Sequence, residues 1–191
     1  MKKLLQRFFA FVCPKPEDPT QPKTLLTYTK IINMLREYDN RRRKLIVESL
    51  GFEDTRMNIF DFEEFKNYML YTEKVANEKG IKLKGISFIK GVYNEETAHD
   101  TRFVNYENLL YTPTAIVNGK EVPIDILKST SNHIVTLQEI LEKHGYEWTY
   151  DSKEELQKQV QKQAFKAMVL TENTDDLSGV GNLSHIKPPK A

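Results

Sequence analysis

The chain has 191 residues, with 28 basic and 27 acidic side chains and a formal net charge of +1. That balance excludes the basic excess of a general nucleic-acid binder, so no nucleic acid is expected as a partner. One cysteine excludes a disulfide-built secreted domain, and the length suits one domain plus tails, with about 150 residues for a core that needs no staples.

Residues 1–12 (MKKLLQRFFAFV) open the chain. On a helix at about 100° per residue, Leu4, Leu5, Phe8, Phe9, Phe11 and Val12 share one arc, and Lys2, Lys3, Gln6, Arg7 and Ala10 the other. Such an aromatic face needs something to bury it. A membrane interface, with basic groups among the headgroups, is one destination. A groove on this protein or on a partner is another. An export signal fits less well, because Arg7 interrupts the apolar run and bulky Val12 precedes Cys13. The run is short of the roughly 20 apolar residues that span a bilayer. Cys13 lies beside an amphipathic segment, a position compatible with lipidation, but no signature accompanies it. Prolines 14, 16, 19 and 22 then favour an extended spacer over residues 14–23.

Tyr28, Ile31, Ile32 and Leu35 keep helical spacing, which predicts a helix over 24–37. Tyr38-Asp39-Asn40 is expected to interrupt it, with Asp39 or Asn40 capping a second helix that carries Leu45, Ile46 and Leu50 and ends at Gly51. Arg41-Arg42-Arg43-Lys44 is the densest charge run. Consecutive helical residues point about 100° apart, so the four make no single patch, and pairs with Glu37 and Glu48 predict a solvated face. Residues 56–60 (RMNIF) alternate like a short strand. Asp61 with Glu64 makes a capping box, after which Phe62, Phe65, Met69, Thr72 and Ala76 are expected to line one helix face as far as Gly80. Residues 81–93 (IKLKGISFIKGVY) read as a strand, with Gly85 and Gly91 marking a bulge or a close backbone approach.

Residues 102–117 are again extended. Asn118-Gly119 is the strongest turn signal in the chain, suited to a type I′ hairpin, and Pro123 places the return strand at an edge. Thr136 with Glu139 starts a helix that Gly145 closes. Ser152 with Glu155 starts a longer one with a narrow seam of Leu156, Val160, Ala164, Ala167 and Met168. The expected class is α+β: a mainly antiparallel sheet of about four strands with helices packed on it, over residues 24–171. One βαβ step allows a parallel pair, and a second, solvent-facing side of the sheet is a candidate binding surface. An amphipathic helix (1–13) precedes the domain, and a mobile tail (172–191), with a docking element near Leu183 and Ile186, follows it.

Chemical motifs are weak. Asp54 and Arg56 before a strand, with His99 and Asp100 in a polar loop, are the candidates for acid–base work if they converge. Ser129 to His133, following Asp125, lack the strained elbow of a nucleophile and read as a turn. The four histidines are scattered, so no metal and no cofactor is expected. Gly179-Val180-Gly181 lacks the flanking strand and helix of a dinucleotide loop. Tyr106, Tyr111 and Trp148 are candidates for a ligand groove. Gly91-Val92-Tyr93 and Thr112-Pro113-Thr114 resemble strands of small bacterial proteins, a resemblance that carries over no functional residue.

These features describe a non-enzymatic binding protein, tethered by residues 1–12 to an anionic membrane surface or a partner protein. A small hydrolase and an immunity-type regulator that binds a partner are the alternatives. The expected location is cytoplasmic, with a peripheral place at the inner membrane face as a variant of it.

Overall fold

The computed structural model describes residues 21–151 and 178–182, and the backbone of 184–187. Residues 1–12, Cys13, most of the proline spacer, Leu183 and the helix expected after Ser152 lie outside the described residues. The chain divides into two compact units, residues 1–49 and 50–191.

In the first unit, Thr27 accepts the Lys30 N–H and caps α1 (Tyr28–Tyr38). The interruption expected at residues 38–40 does not occur. Asp39 keeps right-handed helical angles, and its N–H donates to the Leu35 and Arg36 carbonyls. The chain passes through a π turn (Asp39–Arg43) into α2 (Lys44–Leu50). A π turn absorbs an extra residue without freeing a run of backbone groups, so no new helix start forms for Asp39 or Asn40 to cap. Arg41 pairs with Glu37, and Lys44 with Glu48, on the exposed surface as expected. No residue of α1, the π turn or α2 is buried. Gly51 follows with φ +78°, the left-handed stop that glycine adopts without steric cost.

The second unit runs β1 (Met57–Phe60), α3 (Phe62–Glu78), β2 (Leu83–Val92), a 3₁₀ turn (Thr101–Phe103), β3 (Glu107–Val117), β4 (Lys120–Pro123), α4 (Leu137–Lys143) and β5 (Ser184–Lys187). Strands β2, β3 and β4 form one antiparallel sheet in that order, and β1 pairs antiparallel with β5 in a second. The unit is therefore α+β, but the parallel pair expected from the β1-α3-β2 step is not made. Antiparallel bonds are slightly better than parallel ones per residue, and the C-terminal segment supplies them to β1. That segment corrects a second expectation: part of the tail expected to be mobile is a strand, with Asn58 opposite Ile186.

Asn118 and Gly119 have φ of 52° and 78°, the two positive angles of the expected hairpin turn. Beyond it β4 ends at Pro123 and is an edge strand among the described residues. The register of β2 against β3 shifts between Leu83 and Gly85. A Cβ on Gly91 would meet the Asn108 Oδ1 at 2.7 Å, so both glycines answer to the bulge and close approach expected of them.

Asp61 accepts the Glu64 N–H and starts α3. The buried face of α3 keeps Thr72 and Ala76 of the expected set, with Phe65 packed inward, but loses Phe62 and Met69. Phe62 is 76% exposed and Met69 40% exposed, whereas Thr72, Val75 and Ala76 are buried. Val75 and Ala76 join Ile81, Ala115, Val122, Ile124 and Ile126 in the aliphatic core. One turn nearer the helix start, Phe65 and Tyr68 meet Tyr111 edge-on at 5.1 and 4.7 Å. Phe60 meets Tyr111 at 5.3 Å and Phe88 at 6.0 Å, closing an aromatic cluster. Each edge-on pair contributes about 1 kcal/mol beyond area burial.

Candidate functional site

Alternation along β2 and β3 divides the sheet into two faces. Phe88 and Tyr111 lie opposite each other on the face that meets Phe65 and Tyr68 of α3. Ser87 opposite Thr112, Ile89 opposite Leu110 and Gly85 opposite Thr114 occupy the other. That second face floors a groove of about 1420 Å³. One wall is α4, through Leu137, Ile140 and Leu141, started by Thr136 on the Glu139 N–H and ended by Gly145 at φ +78°. The segment after Gly145 adds Tyr146, Trp148 and Tyr150, and Val180 adds a further apolar surface.

Ile86 to Gly91 all line this groove. Neighbouring side chains of a strand point to opposite faces, so six consecutive lining residues mean that the groove wraps around the outer edge of β2. β2 is an end strand of its sheet, hydrogen-bonded to β3 on one side only among the described residues.

The polar atoms around the groove are engaged. Ser87 Oγ donates to the Thr112 carbonyl at 3.2 Å, Thr114 Oγ1 to Glu121 Oε1 at 2.7 Å, and Trp148 Nε1 to Asp151 Oδ1 at 2.8 Å. Lys90 pairs with Glu107 and Lys143 with Glu139, both at 2.9 Å. Lys143, helped by His133, holds the Glu139 carboxyl below its ordinary pKa. Burial, with Tyr150 beside it, raises the Tyr146 phenol, which stays a neutral donor at physiological pH. Asp125 is 1% exposed, and one of its oxygens accepts the N–H groups of Leu127, Lys128 and Gly179. Ser129 Oγ donates to the Asp125 carbonyl and accepts the Val135 N–H, so this hydroxyl builds the turn, as its sequence suggests. From the other side Lys79 Nζ donates to the Ile126 and Leu127 carbonyls at 2.8 and 2.9 Å.

The candidate acid–base residues stand elsewhere. Asp54 Oδ1 accepts the N–H groups of Thr55 and Glu107, tying the β1 approach to the start of β3. Arg56 is exposed. His99 packs against Tyr93 and Phe103, at ring distances of 5.9 and 5.2 Å. Asp100 grips Arg102 through two oxygens, and the guanidinium holds its carboxyl down at about 2. None of the four lines the groove. Of the three groove candidates, Trp148 lines it. Tyr111, 2% exposed, belongs to the aromatic cluster on the opposite face, and Tyr106 packs on Phe52 at 5.1 Å. The docking residues Leu4, Leu5, Phe8, Phe9, Phe11 and Val12 lie outside the described residues.

No protein-family model, curated protein or solved structure matches this chain significantly.

Sequence reasoning missed the strap at residues 178–182. Gly181 exchanges both backbone hydrogen bonds with Tyr111 at 2.8 Å, and Tyr68 Oη donates to the Gly179 carbonyl at 2.8 Å. A Cβ on Gly181 would overlap the Tyr111 ring, 2.3 Å from Cε2, and one on Gly179 would sit 2.9 Å from Asp125 Oδ1. The signal was the glycine pair itself. Without the flanks of a dinucleotide loop, it marks two points where backbone must touch the core. Among the described residues no cluster of three or more His, Cys, Asp or Glu side chains is placed to hold a metal ion, and no helix is long and apolar enough to cross a membrane.

Proposed function

We propose that the chain is a non-enzymatic binding protein whose groove receives apolar and aromatic groups of a partner, with residues 1–12 tethering it to a membrane surface or to a larger assembly. One observation carries the reading. The groove is walled by Leu137, Ile140, Leu141, Tyr146, Trp148 and Tyr150, while its polar atoms are engaged in the protein's own hydrogen bonds and ion pairs. Such a surface gains from covering apolar area. Acid–base chemistry needs titratable groups brought to one reacting centre, and none of the candidates for that work lines the groove. The edge of β2 that is unpaired among the described residues adds backbone donors and acceptors along the same groove, which suits an extended segment laid beside it.

Trp148 is the chain's one tryptophan and lines the groove, so its emission reports occupancy. An apolar fluorophore such as anilinonaphthalene sulfonate is expected to bind saturably and quench Trp148 by energy transfer. Ile140→Asp is expected to weaken that binding at least about tenfold by putting an unpaired charge on the wall. Saturable binding that leaves Trp148 emission unchanged, or that Ile140→Asp does not affect, would put the ligand elsewhere and overturn the reading.

A further inference from the structure

The helix of the first unit presents an apolar stripe that is exposed from Tyr28 to Leu35, and half-buried at Tyr38, among the described residues. At 100° per residue, Tyr28, Ile31, Ile32, Met34, Leu35 and Tyr38 of α1 fall within an arc of about 160°. No residue of α1 is buried. Tyr28 is 85% exposed, Met34 62% and Leu35 48%. Thr29, Asn33 and Glu37 take the middle of the opposite arc. The two cations of this helix flank the stripe, Arg36 beside Ile32 on one side and Lys30 beside Met34 on the other.

An apolar stripe alone does not choose between lipid and protein, but charge does. Lys30, Arg36 and Arg42 make no ion pair among the described residues. Residues 1–49 hold eleven of the chain's basic side chains and five of its acidic ones, and residues 50–191 hold seventeen and twenty-two. A near-neutral chain therefore concentrates its positive charge in the unit that carries the open stripe. Aromatic and aliphatic groups on one face, with long cationic side chains at its margins, match the boundary between acyl chains and anionic headgroups.

We propose that α1 lies in the interface of an anionic membrane as a second contact, in addition to residues 1–12. The apolar stripe enters the headgroup–acyl boundary, and Lys30 and Arg36 reach the lipid phosphates. The proposal deepens the reading of the chain as a tethered binding protein and rests on it.

The test uses the full chain with vesicles of phosphatidylcholine alone, or mixed with phosphatidylserine, at low and high salt. Amide hydrogen exchange is followed alongside flotation. Expected are flotation with the anionic vesicles, its loss at high salt, and new protection across residues 28–38. Ile32→Glu with Leu35→Glu is expected to abolish that protection while the far-ultraviolet circular dichroism stays native. Lys30→Glu with Arg36→Glu is expected to weaken partitioning at least about tenfold. Vesicle binding without protection of 28–38, or undiminished in the Ile32/Leu35 variant, overturns the inference. So does lipid-independent protection of 28–38 that grows with protein concentration, because the stripe then meets protein. Phe8→Glu with Phe9→Glu separates the two contacts. If that variant stops floating while wild-type 28–38 stays unprotected, the tether stands and this inference falls. If it still floats with 28–38 protected, this inference stands and the tether at residues 1–12 falls.

Discussion

Helices α1 and α3 have the same local grammar and opposite fates. Each starts at a side-chain cap, Thr27 or Asp61, that accepts the N–H three residues on. Each segregates apolar from polar residues. Yet α3 buries Thr72, Val75 and Ala76 against the sheet and sends Phe65 and Tyr68 into the aromatic cluster, while α1 buries nothing. Amphipathic periodicity states that a face will be covered when it can be. It does not state by what. The second unit supplies α3 with a partner surface from far along the chain, at Tyr111, Ile124, Ile126 and the 178–182 strap.

This contrast can be broken or sharpened by substitution. The largest effect is expected at the centre of the second unit. Tyr111→Ala removes the ring on which Phe60, Phe65 and Tyr68 converge and should cost about 4 kcal/mol in urea unfolding. A loss under about 1 kcal/mol would mean that this cluster is no core at all. Asp125→Ala orphans the N–H groups of Leu127, Lys128 and Gly179 and should cost about 3 kcal/mol by the same measurement. Gly181→Ala forces a methyl into the Tyr111 ring and should cost about 2 kcal/mol. If it is silent, the strap does not sit on that ring. On α1, by contrast, Ile32→Glu should change the stability of the lipid-free protein by less than about 0.5 kcal/mol, because the side chain is 44% exposed. A larger loss would place α1 within a core and remove the contrast.

The smallest effect is a local one. Arg102 holds the Asp100 carboxyl down at about 2, below its ordinary value of 3.8. A depressed carboxyl stabilises the folded turn above its ordinary pKa, and that contribution is lost as pH falls through the folded value. The Arg102 amide shift, followed by nuclear magnetic resonance on acidification, should therefore titrate near 2 and not near 3.8. The Asp100→Asn variant should show no such step.

Much of the local structure was legible because it depends on residues three or four apart. The caps at Asp61 and Thr136, the left-handed stops at Gly51 and Gly145 and the Asn118-Gly119 turn are each decided by one side chain or by one or two φ angles. The candidate site was legible only in pieces. Trp148 was found as a groove residue, but Tyr111 was placed in the same groove when it faces the other side of the sheet. Aromatic composition gives a residue's appetite for burial, and strand parity together with the packing of α3 decides the face on which it is met. The expected parallel pair failed for a similar reason. The competing partner of β1 lies more than a hundred residues away, at Ser184–Lys187.

The sequence by itself determined the α+β class, the starts and stops of most elements, the edge position of β4 and the amphipathic character of α1, because propensity, capping and periodicity act within a turn or two of the chain. Only the tertiary structure decided which faces were buried, that the helix runs on through the Asp39–Arg43 π turn, and that the C-terminal segment completes a two-stranded sheet with β1. It also decided that Asp54 ties to the Glu107 N–H and that Asp125 receives the Gly179 N–H, both from far along the chain. These outcomes depend on which distant surfaces win the competition for apolar area and backbone hydrogen bonds, and that competition is settled only when the whole chain has collapsed.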